Sequence, residues 1–265
     1  MMQVKDQLQR TLVFSKPPRR IVSLVPSLTE LICDLGLKQS LVGVTKFCVH
    51  PESIRTQADV VGGTKQVHFN KIKALQPDVI LCNKEENTKA LVESCAEIAP
   101  VHVSDLNNLD DCLELIGMYG DLFEVEPKAL KLVSAIEEAH RNFKAFIKNK
   151  VSLKVAYFIW KDPWMVAAQN TFVDCLLKLN GFENVFANLE RYPEIALDDI
   201  ELKEADLILL SSEPYPFKTA HKMTLEKQFP KTKVLLVDGE MFSWYGSRLL
   251  NAFDYFRHLH KHGLH

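Results

Sequence analysis

Short runs of β-branched and aliphatic residues recur along the chain, and between them lie stretches whose apolar positions fall at three- and four-residue steps. Alternation of this kind builds parallel strands covered by helices, because two parallel neighbours can be joined only by a crossover and a helix supplies it. The runs predict strands at Ile21 to Leu24, Leu41 to Thr45, Val79 to Asn83, Val101 to Ser104, Lys154 to Trp160, Leu207 to Ser212 and Val234 to Asp238. The longest helical pattern lies between Glu126 and Lys150, opened by Glu126 and Pro127, with Ala129, Leu132, Val133, Ile136, Phe143, Phe146 and Ile147 along one side. A helix of about 24 residues rises roughly 36 Å, enough to cross a whole domain.

The two sides of that helix echo each other in the same order. Thr29 to Val44 (TELICDLGLKQSLVGV), Ile72 to Asn83 (IKALQPDVILCN) and Pro100 to Asp105 (PVHVSD) come before it; Thr171 to Phe186 (TFVDCLLKLNGFENVF), Ile200 to Ser212 (IELKEADLILLSS) and Lys233 to Gly239 (KVLLVDG) come after it. Each half reads as a helix, a Gly-ended turn and a strand, then a helix feeding an Asp-led apolar strand, then one more strand. An internal repeat of this size predicts two similar lobes, 1–125 and 151–265, joined by a bridging helix over 126–150.

Composition narrows the function without naming it. A chain of 265 residues, 47% hydrophobic and 25% charged, is long enough for two modest cores. A net charge of -2 with no basic cluster disfavours nucleic acid and anionic membrane as partners. No apolar run reaches the length of a membrane span, so no membrane insertion is expected, and the N-terminus lacks the pattern of a secretory signal, which by itself points to a cytoplasmic protein. The six cysteines sit mostly in apolar patterns with no CxxC spacing and read as free thiols.

Parallel sheets bind ligands beyond the carboxyl ends of their strands. The loops there are rich in aromatic residues: all three tryptophans, Trp160, Trp164 and Trp244, lie in them, with Phe47, Tyr215, Phe242 and Tyr245. Rings give a large flat ligand contact area at low entropic cost, although each could equally staple a helix to its core. In DGEMFSWYGSR (Asp238 to Arg248), Ser243 has the character of an N-cap for a final helix, Glu240 can accept amide hydrogens, and Arg248 either grips an anionic or amide group on a ligand or pairs with a neighbouring acid. Lys46 and Lys65 stand in loops of the first lobe. In NKEEN (Asn83 to Asn87), Glu85 and Glu86 fall where the first turn of a helix is expected.

Catalytic patterns are missing: there is no nucleophile elbow, no HExxH and no phosphate-binding glycine loop. For a metal the sequence offers only Cys48 with His50, two apart in a loop, and a terminal tract, HLHKHGLH, of alternating histidines.

RIVSLVPSLTELICDLGL, VGVTKFC, LQPDVILCNKEEN and NTFVDCLLKLNGFENVF resemble the helical-backbone (type III) substrate-binding proteins of ABC importers, the family of vitamin B12, ferric-siderophore and haem receptors, over about Arg20 to Leu259. The resemblance implies an α/β fold of two Rossmann-like lobes with central parallel sheets bridged by one long helix. It implies a monomer that is not an enzyme and has no intrinsic cofactor, binding a corrinoid or ferric chelate in the cleft between the lobes. Trp160, Trp164, Glu240, Phe242 and Trp244 would touch the ligand, with Tyr215, Tyr245, Arg248, Lys46, Phe47 and Lys65 beside them. Such receptors are periplasmic and dock on an ABC permease through one acid on each lobe. The corresponding positions here are Lys89 and Leu197, leaving Glu85, Glu86 and Glu194 as substitutes. The alternative is a cytosolic chelatase-like or tetrapyrrole-handling protein using Cys48 and His50; a third reading makes the aromatic loops a protein-binding patch.

Overall fold

The computed structural model describes residues 2–264; Met1 and His265, the last histidine of the terminal tract, lie outside the described residues. The chain forms two compact units. One holds the chain up to Leu106 together with Asp110–Ile136 and Tyr245–Arg248; the other holds Asn107–Leu109, Glu137–Trp244 and the chain from Leu249 onward. The helix Glu126–Ile147 belongs to both, and the division falls inside it, after Ile136.

The first unit opens with an antiparallel hairpin, β1 (Met2–Lys5) and β2 (Thr11–Phe14). It continues with β3 (Ile21–Ser23), β4 (Leu41–Val44), β5 (Asp59–Val60), β6 (Val79–Asn83) and β7 (Val101–Ser104), a fully parallel sheet in the order β5-β4-β3-β6-β7. The second unit contains β8 (Lys154–Trp160), β9 (Met165–Val166), β10 (Glu183–Asn184), β11 (Leu207–Ser211) and β12 (Lys233–Val237), in the order β10-β8-β11-β12, all parallel, with β9 antiparallel on β8. β6 is buried at every position, as is β11, which is why both read as unbroken apolar runs rather than as alternation.

The sequence repeat is a repeat of topology. The order β4-β3-β6-β7 in one unit matches β10-β8-β11-β12 in the other. The glycines that end the first repeated helix occupy the left-handed region in both, Gly36 at φ 78° and Gly181 at φ 72°. The Asp that leads each apolar strand does the same work twice: Asp78 accepts the Arg20 amide at 2.9 Å, and Asp206 accepts the Lys154 amide at 2.9 Å, tying β6 to the entry of β3 and β11 to that of β8.

The hairpin was not legible in the sequence, and one carboxylate explains how it is held. Asp6, fully buried, accepts the Arg10 guanidinium and the Val103 amide through Oδ2, while Arg10 reaches the Val101 carbonyl at 2.9 Å. The hairpin thereby covers β7, an edge strand whose amides would otherwise lie open.

His102, also on β7, is sealed in with neither ring nitrogen hydrogen-bonded, its ring edge-on to Tyr119 at 5.2 Å. Burial lowers its pKa to about 4, against the upward pull of Asp6, with Arg10 acting in the same direction as burial. The unfolded chain takes this proton near pH 6.5 and the folded chain only near 4, so stability drops as pH falls through that window, by up to roughly 3 kcal/mol, and this contribution is flat above it. Urea titrations at pH 7 and pH 4.5 should show this loss in the wild type and a smaller one in His102→Asn; equal losses would contradict it.

Candidate functional site

In an open parallel sheet the crevice forms beyond the carboxyl ends of the two strands whose crossovers leave to opposite faces. In the second unit those strands are β8 and β11, because β8 leads to β10 on one side and β11 to β12 on the other. In the first they are β3 and β6. The two crevices are furnished differently.

The β8 and β11 crevice carries a ridge of rings. Trp160, the last residue of β8, is 39% exposed and meets Tyr215 at 5.6 Å between centroids. Tyr215 lies on Phe217 at 4.7 Å, and Trp164 stacks on Phe217 with its plane only 9° away while its edge meets Phe158. Phe217 and Phe158 are buried in the core of this unit, so the outer rings are seated on fixed ones. Lys161 stands over Trp164, 5.8 Å from Nζ to the ring centre.

His221, which the sequence gave no reason to single out, sets the polarity of this ridge. Its Nδ1 accepts the backbone N–H of Lys218 at 2.9 Å, which puts the ring proton on Nε2. Nε2 faces the Tyr215 hydroxyl at 3.3 Å and donates to it, so the Tyr215 hydroxyl hydrogen is directed elsewhere. The ridge can thus offer a donor to a carbonyl or carboxylate.

Beside it, the loop after β12 is pinned rather than open. Glu213 Oε1 accepts the Trp244 indole N–H at 2.8 Å and the Ser243 hydroxyl at 2.9 Å. A side chain at Gly239 would come within 2.6 Å of Glu213, so only glycine lets the loop approach. Ser243 is not an N-cap: it ends the helix Gly239–Ser243, whose cap is Asp238, and the last helix, Arg248–His258, begins only after Gly246 at φ 82° breaks the path. Trp244 is buried, and Phe242 is wholly buried against Tyr157 and Phe256. Glu240 is half-buried, with its backbone N–H on Asp238.

The first unit's crevice is filled by the chain itself. Tyr245, buried, lies by the hydroxyls of Ser27 after β3 and Ser104 at the end of β7, and burial raises its phenol well above the usual range. The amide of Gly246 meets Cys112 Sγ at 3.1 Å. Arg248 makes a two-pronged ion pair with Glu30, Nε to Oε2 at 2.9 Å and Nη2 to Oε1 at 2.8 Å, both side chains almost out of solvent. Burial raises the Glu30 carboxyl and Arg248 opposes that rise. Of the two roles open to Arg248 in the sequence, the structure gives it an acid partner.

Outward from this plug, Phe47 is 49% exposed in the loop after β4, with Lys46 Nζ 5.0 Å above its ring. Lys65 is exposed and donates to the Glu85 carbonyl at 2.7 Å. Glu85 and Glu86 do not begin a helix: their amides bond the Asn83 side chain in a turn, and the helix Lys89–Ala96 starts one turn later, capped by Thr88. Glu86 is half-buried and its carboxyl is raised, mainly by burial. Glu194 is exposed in the second unit. Cys48 is fully buried between the Thr29 and Thr45 hydroxyls, at 3.1 and 3.3 Å, and burial raises its thiol; His50 is half-buried. Among the described residues no group of three or more His, Cys, Asp or Glu is arranged to hold a metal ion, and no helix is long and apolar enough to cross a membrane.

A family model described as periplasmic binding protein matches residues 21–234. A vitamin B12-binding protein of Pectobacterium carotovorum subsp. carotovorum (strain PC1) is 25% identical over 241 residues, covering 89% of this chain and 86% of that protein. The uncharacterized ABC transporter substrate-binding lipoprotein YvrC of Bacillus subtilis (strain 168) is 30% identical over 215 residues, covering 78% and 68%. Among solved structures, a periplasmic heme binding protein from Pseudomonas aeruginosa superposes with a TM-score of 0.79 at 21% identity, covering 92% of this chain and 94% of that one. The periplasmic vitamin B12 binding protein BtuF of Vibrio cholerae superposes with a TM-score of 0.75 at 20% identity, covering 92% and 99%. Parallel sheets of matching order, one before and one after a long helix in the chain, a match over most of the chain and this shared fold lead to one conclusion: the chain belongs to the periplasmic binding protein family, in its helical-backbone form.

Proposed function

We propose that the chain is the substrate-binding component of an ABC-type importer, that its cargo is a corrinoid or a ferric chelate, and that it makes and breaks no bond in that cargo. The observation that carries this reading is the ring ridge at the carboxyl ends of β8 and β11, where Trp160 is exposed on a base of fixed aromatics. Trp160, Trp164 and Tyr215 form the platform, the Tyr215 hydroxyl and Lys161 supply polar grips, and Lys46, Phe47 and Lys65 are the candidate contacts on the first unit. Phe242, Trp244, Tyr245 and Arg248 act behind the surface by holding these loops in place. Glu85, Glu86 and Glu194 are the proposed docking acids for a permease.

Three ring contacts of about 100 Å² each, at roughly 25 cal/mol/Å², give on the order of 7 kcal/mol before association costs, and the polar grips bring micromolar binding within reach. The chelatase-like alternative draws no support from the site, because the Cys48 thiol is sealed between two hydroxyls. Calorimetric titration with cyanocobalamin, haemin and a ferric hydroxamate is the test. One-to-one binding of at least one of them supports the reading, and no heat from any of the three overturns it.

A further inference from the structure

The described histidines of the terminal tract face two ways. His260 points inward: it is buried, stacked on Phe182 at 5.3 Å and 18°, edge-on to Phe143 and Phe146, and its Nε2 lies 3.2 Å from Asn180 Oδ1. With Leu259, also buried, it anchors the turn Leu259–Gly263 to the body of the second unit. Its two neighbours in the tract, His258 and His262, are exposed, four residues apart on one stripe, with ring centroids 4.7 Å apart.

We propose that His258 and His262 form a surface site for one divalent transition-metal ion, held by two imidazoles and completed by water. Three features favour it. The four-residue spacing on a helical stripe is the one that lets two imidazoles share a metal. The turn that carries them is anchored by His260, so little ordering is needed on binding. The pair sits at the carboxyl end of the last helix and the turn that continues it, the negative end of the helix dipole, which favours a cation. The neighbouring cations are drawn aside: Arg257 and Lys261 lie over the Phe146 ring at 5.6 and 5.8 Å. Asp254, exposed one turn earlier on the same stripe, adds negative charge without joining the pair as a third ligand.

Imidazole pairs suit Cu²⁺, Ni²⁺ and Zn²⁺ rather than Mg²⁺ or Ca²⁺, with Cu²⁺ bound tightest. The site is independent of the proposed cargo, and its test needs none. Untagged full-length chain is titrated calorimetrically with nickel chloride and copper chloride, alongside His258→Gln, His262→Gln and, as a control, His68→Gln, an exposed histidine in the first unit. The expected result is one equivalent bound, Cu²⁺ more tightly than Ni²⁺, with affinity at least about tenfold weaker in either member of the pair because the second ligand no longer binds intramolecularly, and unchanged in the control. Thermal melts identical to wild type would show that the variants are folded. Wild-type affinity in both His258→Gln and His262→Gln, or no binding by the wild type, would overturn the proposal.

Discussion

Arg248→Ala is expected to destabilise the protein in the absence of any ligand, by about 3 to 5 kcal/mol, because it leaves the Glu30 carboxylate buried beside no cation. For a chain of this size that corresponds to a fall in melting temperature of roughly 10 °C. The double variant Glu30→Gln/Arg248→Met, which removes both charges and keeps the volume, should recover most of the loss. Removing a residue whose only role was to grip a ligand would leave the melt of the free protein unchanged. Thermal melts of the ligand-free wild type and these two variants therefore decide what Arg248 does, and an unaltered melt for Arg248→Ala would contradict the account of the filled first crevice.

Trp160→Ala is expected to do the opposite: weaken cargo binding with little change in stability. An exposed ring giving up about 100 Å² of contact costs about 2 kcal/mol of binding, roughly a thirtyfold rise in Kd. The indole is 39% exposed, so its loss from the free protein should matter little. Phe242→Ala should reverse the pattern, destabilising the fold by about 3 to 5 kcal/mol as a buried aromatic does, because its ring is fully buried between Tyr157 and Phe256. Calorimetry for affinity and urea titration for stability, on both variants, separate the surface aromatics from the structural ones. A Trp160→Ala protein that binds as tightly as wild type would remove the platform from the proposal.

The sheets could be read from the sequence because their strands are buried on both faces. Val79 to Asn83 and Lys154 to Trp160 are apolar runs that fit no amphipathic helix, and they match β6 and β8 residue for residue. The repeat was legible because each half needs the same turn glycine and the same strand-leading aspartate. What the sequence hid was direction. Trp160 and Trp244 look alike in composition and both lie near the carboxyl ends of strands, yet one is partly exposed and the other lies buried with its N–H on Glu213. The difference lies in the partner 31 positions away that claims the second indole, and no local pattern encodes such a partner. Arg248 was ambiguous for the same reason, since Glu30 is 218 positions distant. The N-terminal hairpin was missed because MQVK and TLVF are too short to show a period, and Asp6, which holds it, looks like any surface acid until Val103 is seen to need a partner. His221 left no signal at all: its role is to fix the hydrogen-bond direction of Tyr215, a property of geometry alone.

The most direct test of the central claim is to follow the three indole N–H resonances of the chain by NMR during a titration with diamagnetic cyanocobalamin, or with a gallium-substituted hydroxamate siderophore if that is the cargo bound. The account predicts that the Trp160 signal moves most, Trp164 less, and Trp244, held by Glu213 at 2.8 Å, least. A bound ligand that shifts Trp244 and leaves Trp160 in place would contradict it.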